Sequence, residues 1–320
     1  MTEWMPWLLS GLGLVILLLA GDSLVKGAVN LSLRLGVPAL IVSLTIVAFG
    51  TSAPELLIAI EAILDDAPGL ALGNVVGSNT ANILLVLGIP ALLATMHTSE
   101  CDTKKSYNYM IAGSILFIAL AFRGVFDWIS GLVLLVALAY VLFDQAMEAK
   151  DHRAACAAGT AEEEEIEGVD PDLPGWRIAV FLILGLIGLP LGASLLVENA
   201  TVIAKTYGVS DTVIGLTLVA VGTSLPELAT TVMAALRRQA DVALGNVIGS
   251  NMFNLLAIIG IASLVGPISV DPAFLSFDLW VMLAASILLV PFVYMRRDIT
   301  RVWGVILSAL YVTYLIIVLT

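Results

Sequence analysis

Apolar residues gather into ten long stretches, at roughly 5–29, 38–64, 69–95, 106–123, 125–145, 177–203, 211–236, 241–266, 276–295 and 300–319. Each is about as long as the ~20 residues that a helix needs to cross a hydrocarbon core. Within them apolar positions run on without the alternation of membrane β-strands, so helices apolar all round are predicted and a β-barrel is excluded. One long polar segment, 146–175, divides five stretches from five; it is rich in Ala and Glu and ends in Pro171, Pro174 and Gly175. The pattern predicts an all-α integral membrane protein with ten transmembrane helices.

Composition narrows this further. Hydrophobic residues make up 60% of the 320 and charged residues 12%, against about 25% charged in soluble domains. An ordinary water-soluble globule, a disordered chain and a nucleic-acid-binding protein are excluded. The net charge of −12 is local: 144–172 holds ten acids against two bases, which is −8 of that total. Two cysteines, Cys101 and Cys156, make no disulfide framework. Met1-Thr2-Glu3-Trp4 lacks a basic leader, so the first stretch is expected to be a retained helix.

The bases set the orientation. If helix ends alternate, Arg34, Lys104, Lys105, Lys150, Arg153, Arg177, Arg237, Arg238, Arg296, Arg297 and Arg301 fall on one side, and Arg123 and Lys205 on the other. Positive residues collect on the cytoplasmic side. Both termini are therefore expected outside and the acidic linker inside, in a multi-pass protein of the inner (plasma) membrane.

The chain also repeats itself. A shift of 172 residues lays Ala48-Phe-Gly-Thr-Ser-Ala-Pro-Glu-Leu56 on Ala220-Val-Gly-Thr-Ser-Leu-Pro-Glu-Leu228, seven of nine identical. The same shift lays 71–82 on 243–254, nine of twelve identical. An odd number of spans per repeat forces the second copy to insert upside down, an architecture of secondary transporters with the substrate near the midplane. The expected organisation is a first five-helix repeat at 1–145, a cytoplasmic linker at 146–175 and an inverted five-helix repeat at 176–320.

Chemistry concentrates in the repeated blocks. Glu55 and Glu227 lie inside apolar stretches, where an ionisable group costs at least about 2.5–3.5 kcal/mol. Each follows Gly-Thr-Ser-X-Pro, and proline removes a backbone donor and clashes with the preceding turn. The helices should bend or unwind near 48–53 and 220–225, turning carbonyls into a cavity. Thr51 shares a face with Glu55, and Thr223 with Glu227. Asn74, Ser78 and Asn82 recur every fourth residue, as do Asn246, Ser250 and Asn254, so each set makes a polar stripe. Gly73 and Gly77, with Gly245 and Gly249, are spaced for close helix contact. Serine, threonine and asparagine can instead serve simply as interhelical hydrogen bonds. Two carboxylates among hydroxyls, amide oxygens and carbonyls, without sulfur or imidazole, suit hard cations. Ca²⁺ takes 6–8 oxygens at flexible geometry and Mg²⁺ demands a small octahedron, so Ca²⁺ and Na⁺ fit best.

Other charges are more ordinary. Asp22 and Lys26 are one turn apart and should pair, while Glu198, the repeat counterpart of Lys26, could pair with it across the pseudo-two-fold axis. Glu61, Asp65 and Asp66, at the outer end of the second stretch, read as solvated loop charge, with an electronegative vestibule as the alternative; the run Glu162–Glu165 reads as a solvated linker, with sensing of cytoplasmic cations as the alternative. His97 and His152 receive no role.

Gly50-Thr-Ser-Ala-Pro-Glu55 with Gly73-Asn-Val-Val-Gly-Ser-Asn79, and Gly222-Thr-Ser-Leu-Pro-Glu227 with Gly245-Asn-Val-Ile-Gly-Ser-Asn251, resemble the two α-repeats of the cation/Ca²⁺ exchanger superfamily, most closely its prokaryotic sodium/calcium antiporters. The resemblance extends over the ten-helix layout. It implies a cation-ligating set of Ala48, Thr51, Ser52, Glu55, Ser78 and Asn82 with Ala220, Thr223, Ser224, Glu227, Ser250 and Asn254. It implies Na⁺/Ca²⁺ antiport by alternating access, with the first and sixth helices sliding. The expected partners are Ca²⁺, Na⁺ and the lipid bilayer, with no enzymatic activity, cofactor or obligate protein partner. Some members carry Asp where this chain has Asn254, which leaves Ca²⁺/H⁺ or K⁺-dependent exchange as the alternative and a passive cation channel as a remoter one.

Overall fold

The computed structural model describes residues 4–157, 173–208 and 220–319. The acidic run 162–165 and the start of the seventh stretch, 211–219, lie outside them. The described chain is helical throughout apart from short connections. Its helices are α1 (Met5–Leu35), α2 (Ala39–Thr51), α3 (Ala53–Leu64), α4 (Pro68–Leu93), α5 (Lys104–Ala121), α6 (Trp128–Ala157), α7 (Gly175–Thr206), α8 (Leu225–Leu236), α9 (Ala240–Val265), α10 (Phe274–Val293) and α11 (Arg301–Leu319). Among the described residues, seven helices are long and apolar enough to cross a membrane, or eight if the bent pair α2 and α3 forms one span. Leu and Val side chains stand exposed all along α1, α6, α7 and α11. In water such surface would be covered by a partner; on an all-helical apolar protein it is the face met by lipid.

Helix ends follow local chemistry. Gly36 closes α1 in the left-handed conformation at φ 64°, its N–H donating to Leu33. Asp127 caps α6 by accepting from the Ser130 backbone N–H and hydroxyl, both at 2.9 Å. Those bonds, with the nearby Arg123 guanidinium, hold the Asp127 carboxyl below the usual carboxylate range. Helix α6 runs on to Ala157, so 146–157, read from sequence as linker, is helical. Its Gln-Ala-Met-Glu-Ala-Lys run is built of good helix formers, and Lys105 of α5 binds both Asp144 and Glu148 at its base.

Helices α1 and α7 form the closest pair. A Cβ on Gly13 would meet Leu196 N at 2.7 Å, one on Gly192 would meet Leu17 N at 2.8 Å, and one on Gly185 would meet Leu24 Cβ at 2.5 Å. Residue numbers on the two helices run in opposite senses, so α1 and α7 are antiparallel. The contacts Gly13–Leu196 and Gly185–Leu24 are also counterparts under the 172-residue shift. The same register places Lys26 level with residue 183 and Glu198 level with residue 11, about 22 Å apart along the pair at 1.5 Å per residue. Lys26 therefore bonds Asp22 on its own helix, at 2.9 Å, and not Glu198.

The loops repeat as well. Val125–Phe126 and Ile268–Ser269 form a two-residue antiparallel ladder, and Met96 bridges Ile299. Met96 and Ile268 differ by the shift of 172, so each pins a connection at the end of a central helix, α4 or α9. Those two helices are the most deeply buried of the apolar spans.

Replacing Gly192 with Val should force α1 and α7 apart at a backbone contact. An overpacked interface costs about 1–3 kcal/mol, to be read as a lower thermal midpoint of the detergent-solubilised protein.

Candidate functional site

Both motif helices break where proline was expected to break them. Helix α2 ends at Thr51 and α3 starts at Ala53, bent by 42° about Ser52. Pro54 then sits in the first turn of α3, where its missing N–H is harmless. The second copy matches: the turn Ala220–Gly222 ends, Thr223 and Ser224 turn, and α8 starts at Leu225 with Pro226 next. Ser52 and Ser224 have nearly the same backbone angles, φ −87° and ψ 2° against φ −89° and ψ 4°. Each break sets a glutamate in the first turn of a helix, where free N–H groups and the helix dipole favour negative charge.

The glutamates are sealed from solvent, Glu55 at 0% exposure and Glu227 at 1%. Ser52, three residues before the first glutamate, lies within hydrogen-bond reach of the second. The Thr51–Ser52 turn of the first copy lies against the second. Ser52 Oγ donates to Glu227 Oε1 at 3.3 Å, and Thr51 Oγ1 is 3.3 Å from both Ser250 Oγ and Asn246 Oδ1. Asn246 donates onward to Thr231 Oγ1 and to the Glu227 carbonyl. Ala48 is buried, and its carbonyl accepts from Ser52 N at 3.0 Å and Thr51 Oγ1 at 3.3 Å. Ala220 opens the second turn.

Across the site α4 and α9 are clasped by four reciprocal bonds. Asn79 Nδ2 donates to the Asn251 carbonyl at 3.2 Å, and Asn251 Nδ2 to the Asn79 carbonyl at 3.3 Å. Asn82 Nδ2 donates to Asn251 Oδ1, and Asn254 Nδ2 to Asn79 Oδ1, both at 3.0 Å. Each bond becomes its partner when 172 is added or subtracted. Asn79 and Asn251 lie in the repeated blocks but off the polar stripes, so their role was not visible from periodicity. Their equal position in both copies was the signal that could have found them. A wide π-helical turn follows the clasp in each copy, at Asn82–Val86 and Phe253–Ile258. Gly249 lets α9 reach α2, since a Cβ there would lie 2.5 Å from the Leu44 carbonyl oxygen. The matching contacts of Gly73 and Gly77 would fall on 212–220, largely outside the described residues.

The clasp engages the amide nitrogens of Asn82 and Asn254 and leaves their buried Oδ1 atoms without a partner among the described residues. Glu55 Oε1 and Oε2, Glu227 Oε2, Ser78 Oγ and Ser224 Oγ are likewise buried with no hydrogen bond among the described residues. These seven oxygens all belong to residues picked out by the repeated motifs. Buried polar atoms are normally satisfied, and unpaired ionised carboxylates in low dielectric are costly. Oxygens of this kind, two formal negative charges among them and no sulfur or imidazole, have the chemistry that suits a hard cation. Thr223 borders a cavity of about 230 Å³ lined also by Pro54, Ile58, Ala193, Ser194, Glu198 and Pro226. That cavity touches the residue just before each glutamate.

A family model described as sodium/calcium exchanger protein matches residues 5–146 and 177–320. The chain belongs to the sodium/calcium exchanger family. This exchanger is 38% identical to the sodium/calcium exchanger MaX1 of Methanosarcina acetivorans over 96% of both chains. It is 37% identical to the putative antiporter CaxA of Alkalimonas amylolytica over 94% of its own length and 95% of the relative's. The solved sodium-calcium exchanger NCX_Mj, soaked with Na⁺ and Sr²⁺, superposes on it with a TM-score of 0.81 at 32% identity over 98% of both chains.

Two outcomes test the site. Glu55→Gln and Glu227→Gln should each weaken Ca²⁺ binding at least about 100-fold by isothermal titration calorimetry, since unbalancing a buried charge set costs about 3–5 kcal/mol. Asn79→Ala removes a residue that orients Asn254; a lost orienting partner costs about 10–100-fold in metal affinity, measured the same way.

Proposed function

We propose that this exchanger carries Na⁺ one way and Ca²⁺ the other by alternating access, and that in the cell it extrudes Ca²⁺ down the energy of the Na⁺ gradient. The observation that carries the reading is the set of seven buried, unpartnered oxygens around Glu55 and Glu227. Two carboxylates coordinate one Ca²⁺, whose charge they match, or several Na⁺, and the shared ligands cannot hold both loads at once. Mutual exclusion at one site turns two downhill bindings into counterflow. The ligands are the twelve residues of the two motif pairs, Ala48, Thr51, Ser52, Glu55, Ser78 and Asn82 with their counterparts 172 residues on.

The proposed frame is ten spans in two inverted five-helix repeats. The antiparallel pairing of α1 with α7, which occupy equivalent places in the repeats, supports the inversion, as do the reciprocal bonds between α4 and α9. Alternating access is supported by an asymmetry between equivalent positions. Gly21 presses on the Ala229 carbonyl, and a Cβ there would lie 2.9 Å away. Asp22 next to it binds Lys26 and Arg237. The counterparts of residues 21, 22 and 26 are Ala193, Ser194 and Glu198, and all three line the cavity. One end of the α1–α7 pair is thus packed shut while the other is hollow. With eleven bases on one side and two on the other, the shut end is cytoplasmic and the hollow end outer. Both termini are then outside, the linker is cytoplasmic, and the membrane is the inner (plasma) membrane.

Proteoliposomes loaded with Na⁺ should take up ⁴⁵Ca²⁺, and uptake should stop when choline replaces internal Na⁺. Uptake indifferent to the Na⁺ gradient sinks the reading. Uptake driven by a pH gradient in Na⁺-free buffer, or lost without K⁺, replaces Na⁺ as sole coupling ion.

A further inference from the structure

Position 26 and position 198 are the same place in the two repeats, yet they carry opposite charges in opposite surroundings. Lys26 is held by Asp22 at 2.9 Å, and Asp22 in turn accepts two bonds from Arg237. The charge on α1 is thereby balanced inside the packed end of the α1–α7 pair. Among the described residues Glu198 has no ion pair or hydrogen bond, is exposed, and is the one charged residue in the lining of the cavity. It lies eight residues from the end of α7 at Thr206, so about 12 Å along the helix from that end. An unbalanced carboxylate at such depth is costly unless water or a cation fills the space beside it.

The same cavity is bordered by Pro54 and Pro226, the residues next to Glu55 and Glu227. Glu198 therefore stands over the approach to both site carboxylates. Around it, α3 continues the stripe Pro54–Ile58 with Glu61 and Asp65, both exposed. Lys205, two turns further along α7, is already engaged with another group. A low-dielectric cleft carrying one sign of charge concentrates ions of the other sign and speeds their arrival by 10-fold or more.

We propose that Glu198 is an outer cation station of the transport path. It draws Na⁺ or Ca²⁺ into the cavity and holds the ion in its hydration water before the ion sheds that water at Glu55 and Glu227. The proposal rests on the exchange reading above and adds a residue that lies outside both motif pairs. Because its repeat counterpart is a neutralised lysine, the station exists on one face only. Entry from that face is electrostatically assisted, and entry from the other is not.

The test uses the full chain in right-side-out and inside-out membrane vesicles, with Na⁺-gradient-driven ⁴⁵Ca²⁺ flux as the readout. Glu198→Gln should raise the half-saturating Ca²⁺ at the outer face about 3–10-fold, with a much smaller fall in the rate at saturating Ca²⁺. Glu198→Lys should raise it further, and Glu198→Asp should restore it. At the cytoplasmic face the change should stay under about twofold. The outer-face rise should shrink as ionic strength increases, because screening replaces the lost charge effect. If the Glu198 variants do not fold, Ser194→Lys, which sets a positive charge one turn away in the same lining, should give the same outer-face rise. Unchanged outer-face half-saturation in the charge variants overturns the station, as does an equal rise on both faces. If the unaltered protein shows no Na⁺-driven flux, the exchange reading falls and the station with it; if it does and the variants match it, the station alone falls.

Discussion

Two carboxylates in a space closed to water constrain everything else in this protein. A glutamate with no solvent and no hydrogen-bond partner stays ionised at tolerable cost only when positive charge is within reach. Among the described residues neither oxygen of Glu55 has a hydrogen bond, and Glu227 accepts from Ser52 on Oε1 while its Oε2 has none. The helix breaks at Ser52 and Ser224 bring each glutamate to the start of a helix, where the dipole softens the cost by a fraction of what is needed. The remainder is what the proposed cargo would supply. A site of that kind, uncomfortable when empty, fits a carrier better than a permanent metal centre.

Asn82 and Asn254 hold their amides by the nitrogen end. The cross-repeat clasp through Asn79 and Asn251 engages each Nδ2 and leaves each Oδ1, an acceptor only, open among the described residues. The two copies are not identical in detail. Asn246 finds Thr231 as an acceptor, whereas Asn74 meets alanine at the corresponding Ala59 and its Nδ2 has no partner. Such differences matter in a chain built from a repeat, because they make the two ends of the α1–α7 pair energetically unequal. Here the inequality is written in charge, with Asp22, Lys26 and Arg237 drawn together at one end and Glu198 facing a cavity at the other.

Much of this was legible along the chain. Apolar stretches placed most ends of the described helices within two or three residues, because lipid demands long uninterrupted segments and that demand is local; α1 and α6 run on past their stretches to Leu35 and Ala157. The prolines at 54 and 226 located both breaks, since the loss of an N–H acts one turn away. The Asp22–Lys26 pair followed from spacing alone. Less visible was the helical extension through 146–157, where helix propensity outlasts hydrophobicity.

The sequence by itself determined which residues repeat and which carry charge into the bilayer, for those are properties of single positions and short spacings. Only the tertiary structure decided who meets whom. Lys26 and Glu198 look like partners because they occupy the same place in the two repeats, but antiparallel packing of α1 on α7 carries equivalent residues to opposite ends. Asn79 and Asn251 look incidental to the stripes, yet they meet across the symmetry axis, 172 residues apart in the chain. Contacts of that separation depend on how whole helices pack, and no periodicity along one helix encodes the register of its neighbour.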